Sequence, residues 1–288
     1  MEKSRRQLAK VLALVLILLA FWAAGKFFWG SGNGGQDHLT ITALSVGKAD
    51  ALIVQCEEHV FLIDAGEQDD KEEVVNALKQ RGINQIDLFL VTHFDKDHVG
   101  GGAYVMEQME VASVLMPDYE GDREEYQNFL ESLQGHPDVR RLTKPFHKTF
   151  GSLQITVYPA ENPEEIQDTK EEYDNDMSLV ASLSYGSRKF LLTGDIEKGR
   201  IRQMLAAETD WGHDWIKMPH HGRYQKELEE LLEAVSPKWA VICCSSKNPA
   251  EEKTLALLEQ TGAKVWDTSR QAVVTWCDGE EIRVEYGN

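Results

Sequence analysis

The stretch VTHFDKDHVGG, residues 91–101, places two imidazoles and two carboxylates directly after the apolar run DLFLV. The four side chains, of His93, Asp95, Asp97 and His98, fall within six positions. Imidazole and carboxylate at this density titrate awkwardly without a cation, so metal binding is the economical explanation. The glycines that follow let the backbone turn tightly. The sequence therefore predicts a metal site at the end of a buried strand.

Upstream of this stretch, the hydrophobic pattern alternates between strands and a helix. LTITALSV, ADALIVQC and HVFLIDAG read as strands, KEEVVNALKQRG as a helix that stops at Gly82, and QIDLFLVT as the buried strand leading into the motif. Strand, helix and strand in this order predict an α/β sandwich. The acidic residues 117–176 that follow are expected to be mostly solvated loop.

Regular structure is predicted again in the C-terminal half of the chain. SLVASLSYG and RKFLLTGD read as a strand pair, KELEELLEAV as a helix and KWAVICC as a strand. In NPAEEKTLALLEQTG we predict a helix capped by Asn248, with Pro249 in its first turn and Gly262 beyond its end. The last strands, AVVTW and EIRVEY, are joined by a turn containing Asp278 and Gly279.

The N-terminal segment differs in composition from the rest of the chain. Four cations precede VLALVLILLAFWAA, and three more apolar residues, FFW, follow Lys26, which allows a membrane-spanning segment of roughly 18 residues. We predict a hydrophobic helix in residues 1–30 that anchors the chain to the cell membrane in a single pass. We predict a linker at 31–37 and one domain at 38–288. Because the cations favour an inside N-terminus, this domain is expected to be extracellular. The alternative is a cleaved signal peptide and a secreted domain.

Composition limits the function classes. A chain of 288 residues, 42% hydrophobic and 27% charged, fits one large globular domain. The formal charge of -18 opposes loose wrapping of nucleic acid unless a bound cation inverts the field locally. The four cysteines lie in apolar, strand-like runs and are expected to be buried thiols, with a disulfide as the alternative.

The spacing of residues 93–98 resembles that of the metallo-β-lactamase-fold hydrolases, whose signature after a strand is His-x-His-x-Asp-His. Further pieces follow in the order of that family: Asp64 in FLIDAG, Asp195 in LLTGDIE, and the pair His220 and His221 in IKMPHHG. SVGKADA and NDMSLV are in addition similar to the soluble domain of the ComEC family of DNA-uptake proteins. The resemblance covers about residues 38–286 and implies an αββα sandwich.

The resemblance implies a dinuclear site with two divalent metal ions. The implied ligands of one ion are His93 and Asp95, with one of Asn175 and Asp176 as an additional candidate. Those of the other ion are Asp97, His98 and one of His220 and His221, with Asp195 as a bridge. Aspartate at position 95, where the general signature has histidine, makes manganese or magnesium more competitive with zinc. Zinc stays a candidate.

Individual roles follow from the same resemblance. Asp64 is predicted to hydrogen-bond the ligand loop rather than to bind metal itself. Of the adjacent histidines, His221 is assigned as the ligand, whereas His220 faces substrate as a hydrogen-bond donor or general acid. Asp97 joins His220 as a catalytic candidate, since it binds metal beside the reacting group.

Two departures from the ComEC-like pattern concern the rim of the site. Arg223 stands where that pattern commonly has serine, and we predict that it binds an anionic group of the substrate. The alternative is a pair with an acid of the next helix, such as Glu227. The Gly-His-Pro element that commonly follows the late asparagine is absent after Asn248.

The sequence predicts a membrane-anchored, outward-facing, metal-dependent hydrolase of phosphodiesters, with DNA as one candidate substrate. One alternative is a hydrolase of a small cell-envelope phosphoester, such as a phosphorylcholine ester; another is a catalytically silent binding protein on the same fold. A β-lactamase is disfavoured, because those enzymes often use cysteine where Asp195 stands. The N-terminal segment makes the membrane a partner, and no protein partner can be inferred.

Overall fold

Extended segments form most of the regular structure. The computed structural model describes residues 36–166 and 170–287. The strands there are β1 (Gln36–Ala43), β2 (Leu52–Glu57), β3 (His59–Ile63), β4 (Gln85–Ile86), β5 (Leu88–Leu90), β6 (Glu110–Val111), β7 (Val114–Pro117), β8 (Val139–Leu142), β9 (Phe146–Phe150), β10 (Leu153–Tyr158), β11 (Val180–Tyr185), β12 (Arg188–Leu192), β13 (Trp215–Lys217), β14 (Trp239–Ile242), β15 (Lys264–Asp267), β16 (Ala272–Cys277) and β17 (Ile282–Gly287).

The α-helices and short 3₁₀ turns connect these strands. The helices are α1 (Lys71–Gln80), α2 (Lys96–Val99), α3 (Gly102–Gln108), α4 (Glu124–Ser132), α5 (Pro163–Ile166), α6 (Lys170–Asp176), α7 (Lys198–Ala206), α8 (Leu228–Val235) and α9 (Glu252–Thr261), and the 3₁₀ turns are Gln68–Asp70 and Pro219–Gly222. Within the described ranges, no helix has the length and apolar character that crossing a membrane requires. The predicted anchor at 1–30 lies outside these ranges.

The strands form two large mixed sheets and one small pair. The first sheet has the order β17-β16-β1-β2-β3-β5-β7-β8, and the second has the order β15-β14-β13-β12-β11-β10-β9. In each sheet a run of antiparallel strands continues into a run of parallel strands: from β3 to β8 in the first sheet and from β12 to β15 in the second. Strands β4 and β6 pair separately.

The two sheets pack face to face, with helices on the outer faces. One apolar cluster joins the inner faces of both sheets and includes Val54 of β2 and Leu183 of β11. A second cluster packs the outer face of the first sheet against α1, α3 and α4, and a third packs the second sheet against α7, α8 and α9. Burial on both faces explains why β5 is a continuous apolar run rather than an alternating one. The predicted αββα layers are therefore present.

The expectation of a solvated loop over residues 117–176 is wrong. This segment contains α4, the strands β8 to β10, α5 and α6. LQITVY in β10 alternates buried and more exposed residues and pairs with β11, while Tyr126 and Phe129 bury one face of α4. Acidic residues on the solvent side dominate the composition and conceal this half-buried pattern.

Other local predictions have mixed outcomes. The predicted cap at Asn248 is wrong, because α9 starts at Glu252 and the Asn248 backbone N–H turns back to the Ser245 carbonyl at 3.1 Å. Gly262 ends α9 in the left-handed conformation, as expected. The four cysteines are buried free thiols, which confirms the preferred interpretation.

The topology brings the polar strand ends to one edge of the sandwich. Asp64 follows β3 and His93 follows β5, two parallel neighbours in the first sheet. Asp195 follows β12 and His220 follows β13, two parallel neighbours in the second sheet. Carboxyl ends of adjacent parallel strands share an edge, which is where open α/β sheets bind ligands.

Candidate metal centre

The motif loop leaves β5 in an extended conformation and then forms a single helical turn. Asp95 is the extended residue that precedes α2, and Asp97 and His98 lie within the turn. Gly101 adopts an ordinary negative φ of -80°, so its role is not the positive φ that glycine permits. A Cβ at Gly101 would collide with the carbonyl oxygen of Ala65. This glycine therefore lets the motif loop approach the loop after β3 closely.

Asp64 ties the two loops together. Its Oδ1 accepts the backbone N–H of Thr92 at 2.7 Å, and its Oδ2 accepts the Thr92 hydroxyl at 2.7 Å. Oδ2 also lies 2.8 Å from Nδ1 of His98. Since a carboxylate only accepts, His98 carries its proton on Nδ1 and presents Nε2 to the other side. Asp64 itself is fully buried and has φ 57°, a strained conformation of the kind that concentrates at functional sites.

Two other histidines are oriented in the same way. Nδ1 of His93 lies 3.1 Å from the Thr92 hydroxyl oxygen, and Nδ1 of His221 lies 2.9 Å from the carbonyl oxygen of Cys243. The Thr92 hydroxyl already donates to Asp64, so it accepts from His93. Each imidazole therefore uses Nδ1 to bind an acceptor in the protein and leaves Nε2 for another ligand.

The buried donor atoms converge without satisfying one another. Ligating atoms of Asp50, His98, Asp195 and His221 all lie within 4.8 Å of one another. Nε2 of His93, His98 and His221 are buried and form no hydrogen bond to any residue in the described part of the chain. Unsatisfied imidazole nitrogens beside carboxylates are the donor set of a divalent cation. The residues present thus fit a metal site.

Asp195 occupies the centre of this set. Its Oδ2 lies 3.3 Å from Nε2 of His98 and 3.0 Å from Nε2 of His221. On the far side of His221, Oδ2 of Asp97 lies 3.3 Å from the same Nε2. The Asp195 carboxylate is therefore shared between histidines that come from opposite sheets of the sandwich.

The electrostatics show how strongly these carboxylates attract a cation. Burial alone would lower the pKa of His221, but the Asp195 carboxylate outweighs it and raises that pKa to about 9. Burial likewise opposes the charged form of His98, yet Asp195, Asp64 and Asp50 hold its pKa well above the ordinary value. The carboxylates around these two histidines therefore favour a positive charge in this place. A divalent cation can supply that charge and satisfy the same carboxylates.

His93 behaves differently from the other two histidines. Burial and the positive charge of the neighbouring His98 lower the pKa of His93 to about 3. Its Nε2 lies 4.0 Å from Oδ2 of Asp95, whose other oxygen binds Arg123 at 3.1 Å. His93 is therefore a neutral imidazole, which is the form that binds metal.

Sequence reasoning assigned no role to Asp50 and Lys217, which the structure places in the centre. Lys217, at the end of β13, forms buried ion pairs with Asp50 and, at 3.1 Å, with Oδ1 of Asp195. Its Nζ also donates to the Gly194 carbonyl at 3.0 Å. The signal in the sequence was a single charged residue inside an apolar run, Asp50 in ADALIV and Lys217 in WIKMP. A charge buried in such a run needs a partner of opposite charge.

The turn after β13 sends the adjacent histidines in different directions. His220 and His221 both have positive φ, 47° and 53°, and are followed by Gly222 at 80°. Left-handed backbone costs roughly 1–2 kcal/mol per non-glycine residue. As a result, His221 points into the buried donor set, whereas Nδ1 of His220 lies 2.7 Å from Oε1 of Glu197 and its side chain is 12% exposed.

Asn175 and Asp176 lie next to Glu197. Asn175 donates to Oε1 of Glu197 at 3.1 Å, and its own side-chain oxygen is buried without a hydrogen bond to described residues. Asp176 instead accepts the backbone N–H groups of Glu197 and Arg200, at 3.1 and 2.9 Å, and so stabilises the start of α7. One oxygen of Asp176 is thus committed to the backbone of α7, and the side-chain oxygen of Asn175 accepts no hydrogen bond from the described residues.

Arg223 lies at the exposed side of this cluster. Its Nη1 is 3.7 Å from Oε1 of Glu197, and its side chain is 62% exposed. The alternative partner, Glu227, forms an ion pair with Arg202. The pair of Arg223 with the following helix is therefore not formed, and the guanidinium projects into solvent beside the histidines.

Comparisons with known proteins agree with this architecture. Residues 44–246 match the family model described as the metallo-beta-lactamase superfamily. The chain is 24% identical over 207 residues to ComE operon protein 3 of Bacillus subtilis, an alignment that covers 70% of this chain and 26% of that protein. It is 23% identical over 188 residues to Recombination protein 2 of Haemophilus influenzae, covering 65% and 21%. This chain thus spans about a quarter of the length of these curated relatives.

Solved structures show the same fold at low sequence identity. CmlA, a diiron β-hydroxylase from Streptomyces venezuelae, superposes with a TM-score of 0.52 at 12% identity, covering 88% of this chain and 55% of that chain. Igni18, a metallo hydrolase from Ignicoccus hospitalis, superposes with a TM-score of 0.50 at 13% identity, covering 86% and 100%.

Proposed function

The chain belongs to the metallo-β-lactamase superfamily, and on that premise we propose that it is a dinuclear, metal-dependent hydrolase of phosphodiesters. His93, Asp95 and Asn175 would hold one ion, and Asp97, His98 and His221 the other, with Asp195 between them. Manganese and zinc are the leading candidates, and magnesium is a third. When bound, such ions supply a nucleophile at neutral pH and neutralise charge on phosphoryl oxygens.

One observation carries this proposal. Oδ2 of Asp195 lies 3.3 and 3.0 Å from Nε2 of His98 and His221, which would hold one ion, and the ring of His93, which would hold the other, has its centroid 4.0 Å from that of His98. A carboxylate shared in this way suits a bridge between two close cations, which phosphoryl transfer uses to clamp both the attacking and the leaving oxygen. The same position argues against a β-lactamase with a cysteine ligand.

His220 is proposed to supply the proton that the leaving oxygen needs. The Glu197 carboxylate, 2.7 Å from Nδ1, fixes the orientation of the His220 imidazole. The Nε2–H of His220 is then available to the leaving oxygen, in the manner of a general acid held by a carboxylate. Asn175 donates to the same carboxylate and holds it in place.

Lys217 is proposed to fix the bridging carboxylate. Its Nζ forms an ion pair with Oδ1 of Asp195 at 3.1 Å and a second ion pair with Asp50. Only Oδ2 then faces the histidines. Prearranged charges of this kind avoid reorganisation during the reaction.

The substrate class has two candidates. DNA stays a candidate because one relative is called a recombination protein and another a ComE operon protein. The formal charge of -18 favours a small cell-envelope phosphoester, since a long polyanion is repelled by the general field. The same field makes DNA cleavage more sensitive to salt than cleavage of a small ester.

We further propose that residues 1–30 anchor the chain in the cell membrane, with the hydrolase domain outside. The support is the sequence alone, namely four cations before an apolar run of about membrane-spanning length. Protease added to intact cells should remove the domain beginning near Gln36. Protection until lysis would contradict this topology.

The function is tested by a panel assay of the full chain loaded with manganese, zinc or magnesium. Substrates are bis-p-nitrophenyl phosphate, single- and double-stranded DNA, a chromogenic phosphorylcholine ester and a chromogenic cephalosporin. Asp195→Asn, which keeps the shape of the side chain but removes its charge, is the matched control. We expect metal-dependent cleavage of at least one phosphoester, lost in the control. Cleavage of the cephalosporin alone, or of nothing despite two bound metals, would contradict the proposal, the latter favouring a silent binding protein.

A further inference from the structure

A cavity of about 470 Å³ opens directly beside the candidate centre. His220 and His221 line it, together with Lys48, Arg223, Lys247, Asn248, Pro249 and Glu251. The lining comes from separate loops: the turn between β1 and β2, the turn after β13, and the loop after β14. Arg223 and Asn248 are also the places where the sequence departs from the ComEC-like pattern.

The cavity is locally positive in a strongly acidic chain. We use "cationic rim" for Lys48, Arg223 and Lys247. Glu251 is the one carboxylate among the lining residues, against three permanent cations, whereas the whole chain carries -18. Within the described residues, Lys48 and Lys247 form no ion pair, and Arg223 reaches Glu197 only at 3.7 Å. These cations therefore have free capacity to bind an anion.

The position of the cavity indicates which anion it binds. His221 belongs both to the buried donor set and to the lining of the cavity. A phosphoryl group held at the donor set thus has the cationic rim as its next neighbour along the surface. Arg223 and Lys247 are exposed and Lys48 is half-buried. Three cations placed in this way suit a group of phosphate oxygens better than a neutral group.

Resting on the proposed function, we propose that the cationic rim binds a second phosphate of the substrate, adjacent to the scissile phosphodiester. The substrate class is therefore a phosphodiester that carries a further phosphate, as a nucleotide strand or a small bisphosphate does. A mono-phosphodiester without this group leaves the rim unused. The rim acts equally in ground and transition states, so it lowers the Michaelis constant.

The test compares two synthetic esters, the p-nitrophenyl ester of thymidine 5′-monophosphate with and without a 3′-phosphate. Wild type should have a Michaelis constant about tenfold lower for the ester with the 3′-phosphate. In Lys48→Ala/Lys247→Ala this preference should disappear. Lys79→Ala/Lys264→Ala, which removes the same charge from exposed positions outside the cavity lining, should keep it. A preference absent from wild type, or retained in the rim variant, overturns the inference.

Two further arms separate other outcomes. Calorimetric binding of thymidine 3′,5′-bisphosphate and 5′-monophosphate to the same proteins needs no turnover, so it still tests the rim if neither ester is hydrolysed. A failure to hydrolyse either ester would count against the proposed function alone. The expected outcome is again a roughly tenfold preference for the bisphosphate, lost in the rim variant; equal affinities in wild type overturn the inference. Cleavage of a short oligonucleotide identifies a nucleotide strand as the source of the second phosphate. Cleavage of the 3′-phosphorylated ester without cleavage of the oligonucleotide identifies a small bisphosphate.

Discussion

Lys217 and Lys247 carry the same charge at the same site, yet their surroundings differ completely. The side chain of Lys217 is 1% exposed and is held by Asp50 and Asp195. Lys247 is exposed on the cavity wall and forms no ion pair with described residues. We use "floor" for Asp50, Asp195 and Lys217, in contrast to the cationic rim.

The difference shows how one edge of the sandwich separates two tasks. In the floor, each charge is satisfied by another at low dielectric, so removing one leaves an expensive unpaired partner. In the rim, charges face water, cost little to remove and are available to a ligand. We therefore expect floor substitutions to affect metal binding and folding, and rim substitutions to affect substrate alone.

The largest effect is expected for Asp195→Ala in the floor. Without the shared carboxylate, two close cations repel each other, so metal and activity should be lost together. The loss of rate should exceed the roughly 10- to 100-fold typical of groups that only hydrogen-bond a ligand. Asp64→Asn, which weakens such bonds to Thr92 and His98, is the matched variant and should stay within that range. Metal analysis with kinetics on both variants measures this, and retention of two metals and near-normal turnover in Asp195→Ala would contradict the bridge.

Lys217→Met should destabilise the metal-free protein. It leaves the buried Asp50 carboxylate without its cation, and breaking such a pair costs about 3–5 kcal/mol of unfolding free energy. Lys189→Met removes an exposed pair with Asp210 and should lower the unfolding free energy far less. Denaturant unfolding of both variants measures this. Similar losses of unfolding free energy would show that the ion pairs of the floor are no more important for stability than an exposed pair.

His220→Ala should separate catalysis from metal binding. The general-acid role predicts a roughly 100-fold fall in kcat with both metals kept. His221→Ala, one residue along the chain, should lose metal, because its Nε2 faces Asp195 and Asp97. Metal lost from His220→Ala but kept in His221→Ala would reverse these roles.

Arg223→Ala is expected to have the smallest effect. Its side chain is mostly exposed, so removal should raise the Michaelis constant for a phosphodiester that carries a second phosphate about fivefold and leave kcat and metal content nearly unchanged. Steady-state kinetics at low and high salt checks this, since added salt should shrink the difference from wild type. An unchanged Michaelis constant at low salt would remove Arg223 from the substrate site.

The layered fold was readable from the sequence because its signals are local. Apolar runs of strand length, closed by Asp64, the motif at 93–98 and Asp195, predict strands with polar ends. The exception is the segment from β8 to β10. Acidic neighbours conceal the alternation of buried and exposed residues there, and this alternation becomes clear only when β10 pairs with β11, which lies farther along the chain. The composition of such a segment is dominated by its solvent-exposed residues, so it does not reveal the residues that pack against the core.

The candidate site was readable only in part. His93 to His98 lie together in the sequence, so their common purpose is visible there. Asp50 and Lys217 meet only after two sheets have closed on each other, and no local pattern connects them. The same limit applies to the cationic rim, whose three side chains come from three loops. Orientation of the adjacent histidines also required the left-handed turn, which sequence spacing does not specify.

The central claim is that Asp195 lies between two metal ions, and manganese titration of the full chain tests it most directly. Equilibrium dialysis counts the bound ions, and electron paramagnetic resonance reports whether they share a bridge. We predict two manganese ions per chain with the spectrum of an exchange-coupled pair, because Oδ2 of Asp195 contacts His98 and His221 of one ligand set and the His93 ring of the other set lies 4.0 Å from the His98 ring. A single ion per chain, or two ions with the spectrum of isolated manganese, would contradict the account.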